Sequence, residues 1–305
     1  MFDYLISLGV FVGLYALMAL GLNVVWGIAG MINLGLVGFY AIGAYGSALL
    51  TVRLGVPIPI AILAGVLASG AAGAAVAVLT ARLRGDYLAI VTLGLAEVLR
   101  LVASNEIWLT GGTDGISAIP GPFRANLSPR GFNLLCLVLV WVAVTIAWAV
   151  LSRIVSAPFG RVLRALREDE MVAAVAGKPV LSFKVRAFAL SSAALGLAGA
   201  LYAHYNAYIA PDAFQSLVTL YVFLALTVGG TGRMGGAVLG ALILVALTEG
   251  TRFLSGSLPG LHPAQVAAVR SGVIGLALIL LLHLRPQGVL PERTRRLLPD
   301  HMRTG

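Results

Sequence analysis

The chain alternates long apolar stretches with short polar ones along most of its 305 residues. Most of these stretches are about as long as the roughly 20 residues that a helix needs to cross the hydrocarbon core of a bilayer. They lack the alternation of barrel strands, and a helix satisfies every backbone group internally. We therefore predict an all-α polytopic membrane protein with about nine transmembrane helices, within a range of about eight to ten. The predicted spans cover residues 4–26, 31–51, 57–81, 86–104, 134–152, 185–205, 215–231, 235–254 and 266–284.

The boundary between the first two predicted spans is the least regular. Residues Gly27 to Gly30 contain two glycines and no basic residue. Glycine suits both a loop and an interruption within a helix. The number of spans near residues 27–35 therefore stays open between these two arrangements.

Lys and Arg residues are distributed unevenly between the two predicted sides. With residues 153–186 in the cytoplasm and nine alternating spans, fifteen basic residues lie inside and six outside. This is the positive-inside bias of membrane proteins, so we expect the N-terminus in the periplasm and the C-terminus in the cytoplasm. The inner residues are Arg82, Arg84, Arg153, Arg161, Arg164, Arg167, Lys178, Lys184, Arg186, Arg233, Arg285, Arg293, Arg295, Arg296 and Arg303, and the outer ones are Arg53, Arg100, Arg124, Arg130, Arg252 and Arg270.

Two connections are long by comparison with the others. Residues 105–133 are rich in Gly and Pro and are predicted to form an external loop. Residues 153–186 are charged, are placed in the cytoplasm and are predicted to be helical from Arg161 to Ala176. Residues 285–305 are expected to form a basic cytoplasmic tail. All of these segments belong to one predicted transmembrane domain, residues 1–305.

Composition excludes an ordinary water-soluble fold. Hydrophobic residues make up 59% of the chain and charged residues 11%, against roughly 25% charged residues in soluble domains. The net charge of +9 does not indicate nucleic-acid binding, because the basic residues lie between apolar runs without interleaved aromatic residues. The single cysteine, Cys136, permits no intrachain disulfide. The first residues lack the basic segment of a signal peptide, so the first span is expected to be retained.

The sequence predicts no site for ATP, metal or catalysis on this chain. A phosphate-binding loop needs Gly-x-x-x-x-Gly-Lys-Ser/Thr, and none occurs. No paired His residues or paired acids point to a metal site or to a membrane-embedded enzyme. His204 lies among tyrosines and is expected in an interfacial aromatic belt. If ATP and Mg drive this protein, they are therefore expected to bind to another subunit.

Two acidic residues fall inside predicted spans, where charge is costly and usually functional. Glu97 and Glu249 are each followed three residues later by an arginine, Arg100 and Arg252. Each pair can form an ion pair on one helix face. The alternative is a proton or sodium site, which would favour an ion-coupled secondary transporter.

Several stretches resemble the permease subunits of branched-chain amino-acid ABC transporters, and the LivM-type subunit more than its LivH-type partner. The resemblance covers nearly the whole chain in the same order. It is carried by residues 19–30 (ALGLNVVWGIAG), 39–45 (FYAIGAY), 83–93 (LRGDYLAIVTL) with 97–100 (EVLR), 109–116 (LTGGTDGI), 159–170 (FGRVLRALREDE), 199–204 (GALYAH) and 284–288 (LRPQG).

The resemblance implies an importer permease fold in the bacterial inner membrane, working by alternating access. It also implies a homologous LivH-type permease, two ABC ATPase subunits, a periplasmic solute-binding protein and an amino-acid substrate as partners. A short cytoplasmic helix of such permeases docks into the ATPase, and residues 160–177 match it. Charges of both signs and an apolar stripe suit docking, although a solvated surface loop is the alternative. The docking residues are Gly160, Arg161, Arg164, Ala165, Arg167, Glu168, Asp169 and Glu170.

The translocation pathway is less defined. Asn23, Asn33, Thr92 and Glu97 are candidate lining residues, or equally interhelical hydrogen-bonding groups. Leu36 stands where many relatives have His, which leaves the substrate open. A permease for urea, a short amide or another small solute is therefore an alternative in the same class.

Overall fold

The computed structural model describes residues 2–83 and 85–255 and a few positions between 272 and 291. Within that part the regular structure is helical, apart from one isolated antiparallel bridge between Ile116 and Ile209. The helices of eight or more residues are α1 (Phe2–Leu22), which continues into a π-helical turn (Asn23–Ile28), α2 (Leu36–Leu54), α3 (Ile58–Leu79), α4 (Asp86–Asn105), α6 (Pro129–Ser156), α7 (Pro158–Glu168), α9 (Val180–Asn206), α10 (Ser216–Gly229) and α11 (Met234–Ser255). Two short helices are α5 (Ile107–Thr110) and α8 (Glu170–Val175).

Six of the described helices are long and apolar enough to cross a membrane: α1 with its π-helical turn, α2, α3, α4, α6 and α9. Helices α10 and α11 pass the same test only together, as a pair bent by 119°. The chain is therefore an all-α, multi-pass membrane protein. The described residues do not confirm the count of about nine spans. The last predicted span, residues 266–284, lies largely outside them, as does the predicted tail 285–305.

The long connections are shorter than predicted because their flanking helices are longer. Helix α6 begins at Pro129, where the Ser128 hydroxyl accepts a hydrogen bond from the Gly131 N–H at 3.2 Å. A serine at this position satisfies a backbone donor that the helix itself leaves free. The first connection therefore narrows to residues 106–128, and the second to 157–179.

Helices α2, α3 and α9 pack closely through small residues. A Cβ atom on Gly43 would lie 2.1 Å from the Gly196 carbonyl oxygen, and one on Gly65 would lie 2.7 Å from the Gly43 oxygen. Larger residues would force these backbones apart, and close backbone approach is what stabilises helix pairs in lipid. Helix α1 packs against this group through α9 and also contacts α6 and α11.

Helix α11 runs antiparallel beside α1. Near one end, the Asn23 amide nitrogen lies 3.5 Å from the Met234 sulfur. Near the other, the Tyr4 hydroxyl donates to Glu249. These contacts are fifteen residues apart along α11, or about 22 Å. Helix α10 has 14 residues, about 21 Å, which is short of the roughly 30 Å of a hydrocarbon core.

The bundle of long helices has two ends, which we call the loop end and the α7 end. At the loop end, Ile116 and Ile209 exchange backbone hydrogen bonds of 2.9 and 3.0 Å. His204 is buried there rather than in a surface belt, because its ring nitrogens contact the Ser47 hydroxyl at 2.8 Å and the Pro120 carbonyl oxygen at 2.7 Å. The α7 end carries residues 157–179 at the opposite end of α6 and α9.

Candidate functional site

Helix α7 lies against the ends of the long helices with one apolar face. Leu163 is fully buried and Leu166 nearly so, whereas Arg161 and Ala165 are exposed on the opposite face. Gly160 allows the tight turn after α6, since a Cβ atom there would lie 1.8 Å from the Val155 carbonyl oxygen. The sequence thus folds α7 as an amphipathic surface helix with one face left open.

Asp169 divides the predicted helix Arg161–Ala176 in two, which corrects that prediction. Its backbone is extended, with φ −155° and ψ 113°. Its carboxylate accepts hydrogen bonds from the Met171 and Val172 N–H groups at 2.8 and 3.1 Å. An Asp side chain that bonds to the backbone in this way begins a new helix instead of continuing the old one.

The short helix α8 that follows exposes apolar side chains. Met171 is 67% exposed, Val172 65% and Val175 86%. Only Ala173 is buried. Exposed side chains of α7, α8 and the residue between them form what we call the docking face. They are Arg161, Ala165, Glu168, Asp169, Met171, Val172 and Val175.

Arg167 points away from the docking face, towards the end of α1. Its Nη1 donates to the Gly27 carbonyl oxygen at 2.5 Å, and its other terminal nitrogen lies 3.9 Å from Glu168. Gly30 has φ +70°, and a Cβ atom there would lie 2.5 Å from the Arg167 side chain. This arginine therefore fastens α7 to the π-helical turn.

An ion pair fastens α8 to α9. Lys184 Nζ lies 2.8 Å from Glu170 Oε1, with the two side chains only 10% and 22% exposed. A cavity of about 120 Å³ adjoins this pair and Arg167. It is also lined by Gly30, Leu83 and Leu88, so α7, α8, α9 and the start of α4 meet there.

Asn23 joins the π-helical turn to the sharp turn between α10 and α11. Its Oδ1 accepts the Gly232 N–H at 2.9 Å. Gly27 leaves room for this contact, because a Cβ atom there would lie 2.0 Å from the Asn23 oxygen and 2.7 Å from the Gly232 nitrogen. Gly230 and Gly232 have φ values of +110° and +82°, which only glycine adopts readily. Arg167, Gly27, Asn23 and Gly232 thus form one chain of contacts, which we call the junction.

Asn33 and Thr92 hold the irregular segment between Ala29 and Gly35. The Thr92 hydroxyl accepts the Leu34 N–H at 3.0 Å, and the Asn33 side-chain oxygen accepts the Gly35 N–H at 2.9 Å. Both side chains are fully buried. Thr92 therefore bonds α4 to this segment, whereas Asn33 bonds within the segment itself.

Glu97 lies apart from these residues, on α4. Arg100 Nε and Nη2 lie 3.0 and 2.5 Å from its Oε1 atom, as the sequence predicted for this pair. For the second predicted pair, the structure places Glu249 against Tyr4, and the Arg252 side chain lies outside the described residues.

A larger cavity of about 600 Å³ opens between α3, α6 and α9. Its lining is almost wholly apolar and includes Phe123, Cys136 and Leu201. Neither this cavity nor the small one at the α7 end is lined by any of the four residues proposed for the pathway.

Residues 4–282 match the model of a protein family described as "Branched-chain amino acid transport system / permease component". The chain belongs to this family. It is therefore a membrane permease subunit of an amino-acid importer, a transport protein that works with other subunits.

Three relatives illustrate the similarity. The high-affinity branched-chain amino acid permease LivM of Salmonella typhimurium is 33% identical over 300 residues, which cover 91% of this chain and 68% of LivM. A probable LivM of Methanocaldococcus jannaschii is 30% identical over 321 residues, or 92% and 91% of the two chains. The Salmonella typhimurium LivH is 26% identical over 292 residues, or 90% and 91%. Among solved structures, none matches. The LivM-type likeness found in the sequence is confirmed.

Some residues of the site carried no sequence signal of their role. Gly27 and Gly232 are two glycines among 37, and Lys184 falls within the positively charged connection. Only the fold brings these three to the junction and to α8. The apolar residues of α8 were equally hard to recognise, because a short apolar run does not reveal which side it exposes.

Proposed function

We propose that this chain is one of the membrane-spanning subunits of an ATP-driven importer of branched-chain or related amino acids. The substrate class follows the LivM relatives, which are named for branched-chain amino acids. The observation that carries the energy coupling is the open docking face of α7 and α8 beside an arginine fixed to the transmembrane helices. The chain itself uses no cofactor in this proposal.

The partners are those of a four-subunit importer. A homologous LivH-type permease completes the pathway, and two ABC ATPase subunits bind ATP and Mg. A periplasmic solute-binding protein delivers the amino acid. Lipid surrounds the helices, and no nucleic acid takes part.

The α7 end faces the cytoplasm of a bacterium in this proposal. Basic residues of the described part support it: Arg82, Arg153, Arg161, Arg164, Arg167, Lys178, Lys184, Arg186 and Arg233 lie at the α7 end, against Arg53, Arg100, Arg124 and Arg130 towards the loop end. Cytoplasmic segments carry such an excess. The N-terminus is then periplasmic, the C-terminus cytoplasmic and the number of spans about nine.

The docking face suits an ATPase surface. Three apolar side chains of α8 and the charges of Arg161 and Glu168 are exposed together. Contiguous exposed apolar residues on a surface that meets water mark protein contacts. Charges of both signs at the rim give such a contact its orientation.

The junction transmits the movement. When the ATPases close on ATP, α7 shifts, and Arg167 pulls on the carbonyl of Gly27. Asn23 passes this shift to the turn between α10 and α11, so the helices rock between outward-open and inward-open states. A chain of contacts with two arrangements, whose equilibrium both sites bias, can carry such coupling.

Reconstitution tests the proposal. The chain, its partner permease and the ATPases are placed in liposomes, and uptake of radiolabelled leucine is measured with the binding protein and ATP. We expect uptake that depends on ATP and is abolished by an ATPase unable to hydrolyse it. Uptake by the chain alone, driven by a proton or sodium gradient, would refute the proposal. Competition by urea and short amides distinguishes the alternative substrates.

A further inference from the structure

Within the described part of the chain, helix α4 packs with one face only. Leu88, Thr92, Ala96 and Ala103 are buried against the rest of the protein. The opposite stripe, at helical spacing, is open and consists of Ile90, Gly94, Glu97 and Leu101, which we call the α4 face. Ile90 is 67% exposed and Leu101 47%, and a Cβ atom built on Gly94 would meet no other atom within 4 Å.

The α4 face carries an ion pair in the middle of an apolar helix. Glu97 lies eleven residues after Asp86 and eight before Asn105, about 16 and 12 Å from the two ends. The 20 residues of α4 are about as long as the hydrocarbon core is thick. The carboxylate of Glu97 therefore falls within the apolar part of the membrane.

The Arg100 side chain does not extend towards the membrane surface. Its guanidinium turns back by one helical turn to Glu97, with an Nη2–Oε1 distance of 2.5 Å. Long basic side chains near helix ends usually extend towards the interface instead. The two side chains remain 23% and 41% exposed, and charge in contact with lipid costs free energy.

The open face of α6 provides a contrast within the same protein. Val138, Val142 and Ile146 are 53%, 49% and 59% exposed and follow one stripe of the helix. No charged residue occurs between Arg130 and Arg153. This face suits lipid, whereas the α4 face does not. A surface that is apolar at its edges and charged at its centre is more stable against a protein surface that supplies polar groups to the charges than against lipid.

We propose that the α4 face is the interface with the second permease subunit, which covers the Glu97–Arg100 pair with polar groups of its own. The inference rests on the proposed function, since it takes the partner to be the homologous permease. The partly exposed ion pair favours this occupant over lipid, because a protein can supply polar groups to it and lipid tails cannot. Gly94 allows the partner's backbone to approach closely, as small residues do between membrane helices.

Spin labelling tests this interface. Cys136 is the single cysteine, so Cys136→Ser gives a background in which Gly94→Cys is labelled. Leu101→Cys gives a second position on the same face, and Val142→Cys is the matched control on α6. Relaxation by oxygen, which dissolves in lipid, and by a water-soluble nickel complex is measured in lipid nanodiscs. Each variant is studied as the chain alone and in the complex with its partner permease and the ATPases.

We expect labels at 94 and 101 to be accessible to oxygen in the chain alone and to lose that accessibility on assembly. The label at 142 keeps its accessibility to oxygen throughout. Oxygen access at 94 and 101 that persists in the complex overturns the inference, as does access to the nickel complex, which would indicate a water-filled pathway. Shielding in the chain alone also overturns it, because this chain would then cover the face itself.

Failure of the inference is distinguishable from failure of the proposed function. Co-purification of the partner permease and ATPases, and ATP-driven uptake by the same complex, are measured on the unlabelled protein. An active complex with a lipid-exposed α4 face refutes the interface alone. A chain that assembles with no second permease refutes both.

Discussion

At the scale of single residues, Arg167 is placed differently from Arg161 on α7. The resemblance assigned Arg161, Arg164 and Arg167 alike to docking, since all three lie in the segment that matches the docking helix of such permeases. The structure turns Arg167 inwards to the Gly27 carbonyl, while Arg161 stays exposed. Charge alone does not reveal which side of a helix is covered, so this distinction depended on the fold.

Replacing Arg167 should uncouple transport. Arg167→Met removes the donor to the buried Gly27 oxygen, and an unsatisfied buried carbonyl costs about 1–3 kcal/mol. We expect uptake by the reconstituted complex to fall several-fold more than ATP hydrolysis does. Lys178→Met, an exposed charge at the same end but outside α7 and α8, is the control for loss of charge and should leave the ratio of uptake to hydrolysis unchanged. An equal ratio in the two variants would contradict the role of Arg167.

Asn23 should stabilise the fold through the Gly232 N–H. Asn23→Leu conserves size but leaves this donor without its side-chain acceptor, so we expect a loss of about 1–3 kcal/mol in the free energy of unfolding. Thermal unfolding in detergent measures it. Asn105→Leu is the control, because Asn105 is exposed and bonds only to its own helix. Equal melting temperatures for the two variants would argue against the Asn23 contact.

At the scale of helices, hydrophobic pattern predicted the long spans and missed their irregularities. The runs at 31–51 and 57–81 correspond to α2 and α3, because an apolar run of this length has few alternatives. The π-helical turn at Asn23–Ile28 and the 119° bend between α10 and α11 were not predictable in this way. Both depend on contacts with distant residues, such as Asn23 with Gly232, which no local pattern records.

The break at Asp169 should define α8. Asp169→Ala removes the acceptor for two N–H groups, and loss of such a cap costs about 1 kcal/mol. We expect faster amide hydrogen exchange in residues 170–175 and unchanged exchange in α7. Asp169→Ser keeps an acceptor and should restore protection. Exchange that is the same in all three proteins would mean that α8 does not depend on this cap.

At the scale of the whole molecule, the two ends of the helices should face opposite sides of the membrane. In the Cys136→Ser background, Asn126→Cys marks the loop end and Lys178→Cys the α7 end. A thiol reagent that cannot cross the inner membrane should label position 126 in spheroplasts and position 178 only after lysis. The reverse pattern would invert the predicted topology.

The site as a whole was only partly predictable from sequence. The family and the amphipathic α7 could be predicted from resemblance and local pattern, since both depend on residues that are neighbours in the sequence. The pathway residues did not follow: Asn33 and Thr92 bond to a loop, Asn23 lies in the junction, and Glu97 pairs with Arg100 on α4. A polar residue in a span is equally suited to a pathway or to a structural contact, and only its neighbours decide.

The central claim is that separate ATPases act on this chain through α7, and substrate-stimulated ATP hydrolysis by the reconstituted complex tests it most directly. Arg164→Ala combined with Glu168→Ala alters α7 itself, whereas Lys178→Ala changes an exposed charge at the same end outside α7 and α8. We predict that the double variant loses most of the stimulation and of leucine uptake, while Lys178→Ala retains both. Full stimulation and full uptake in the double variant would contradict the claim.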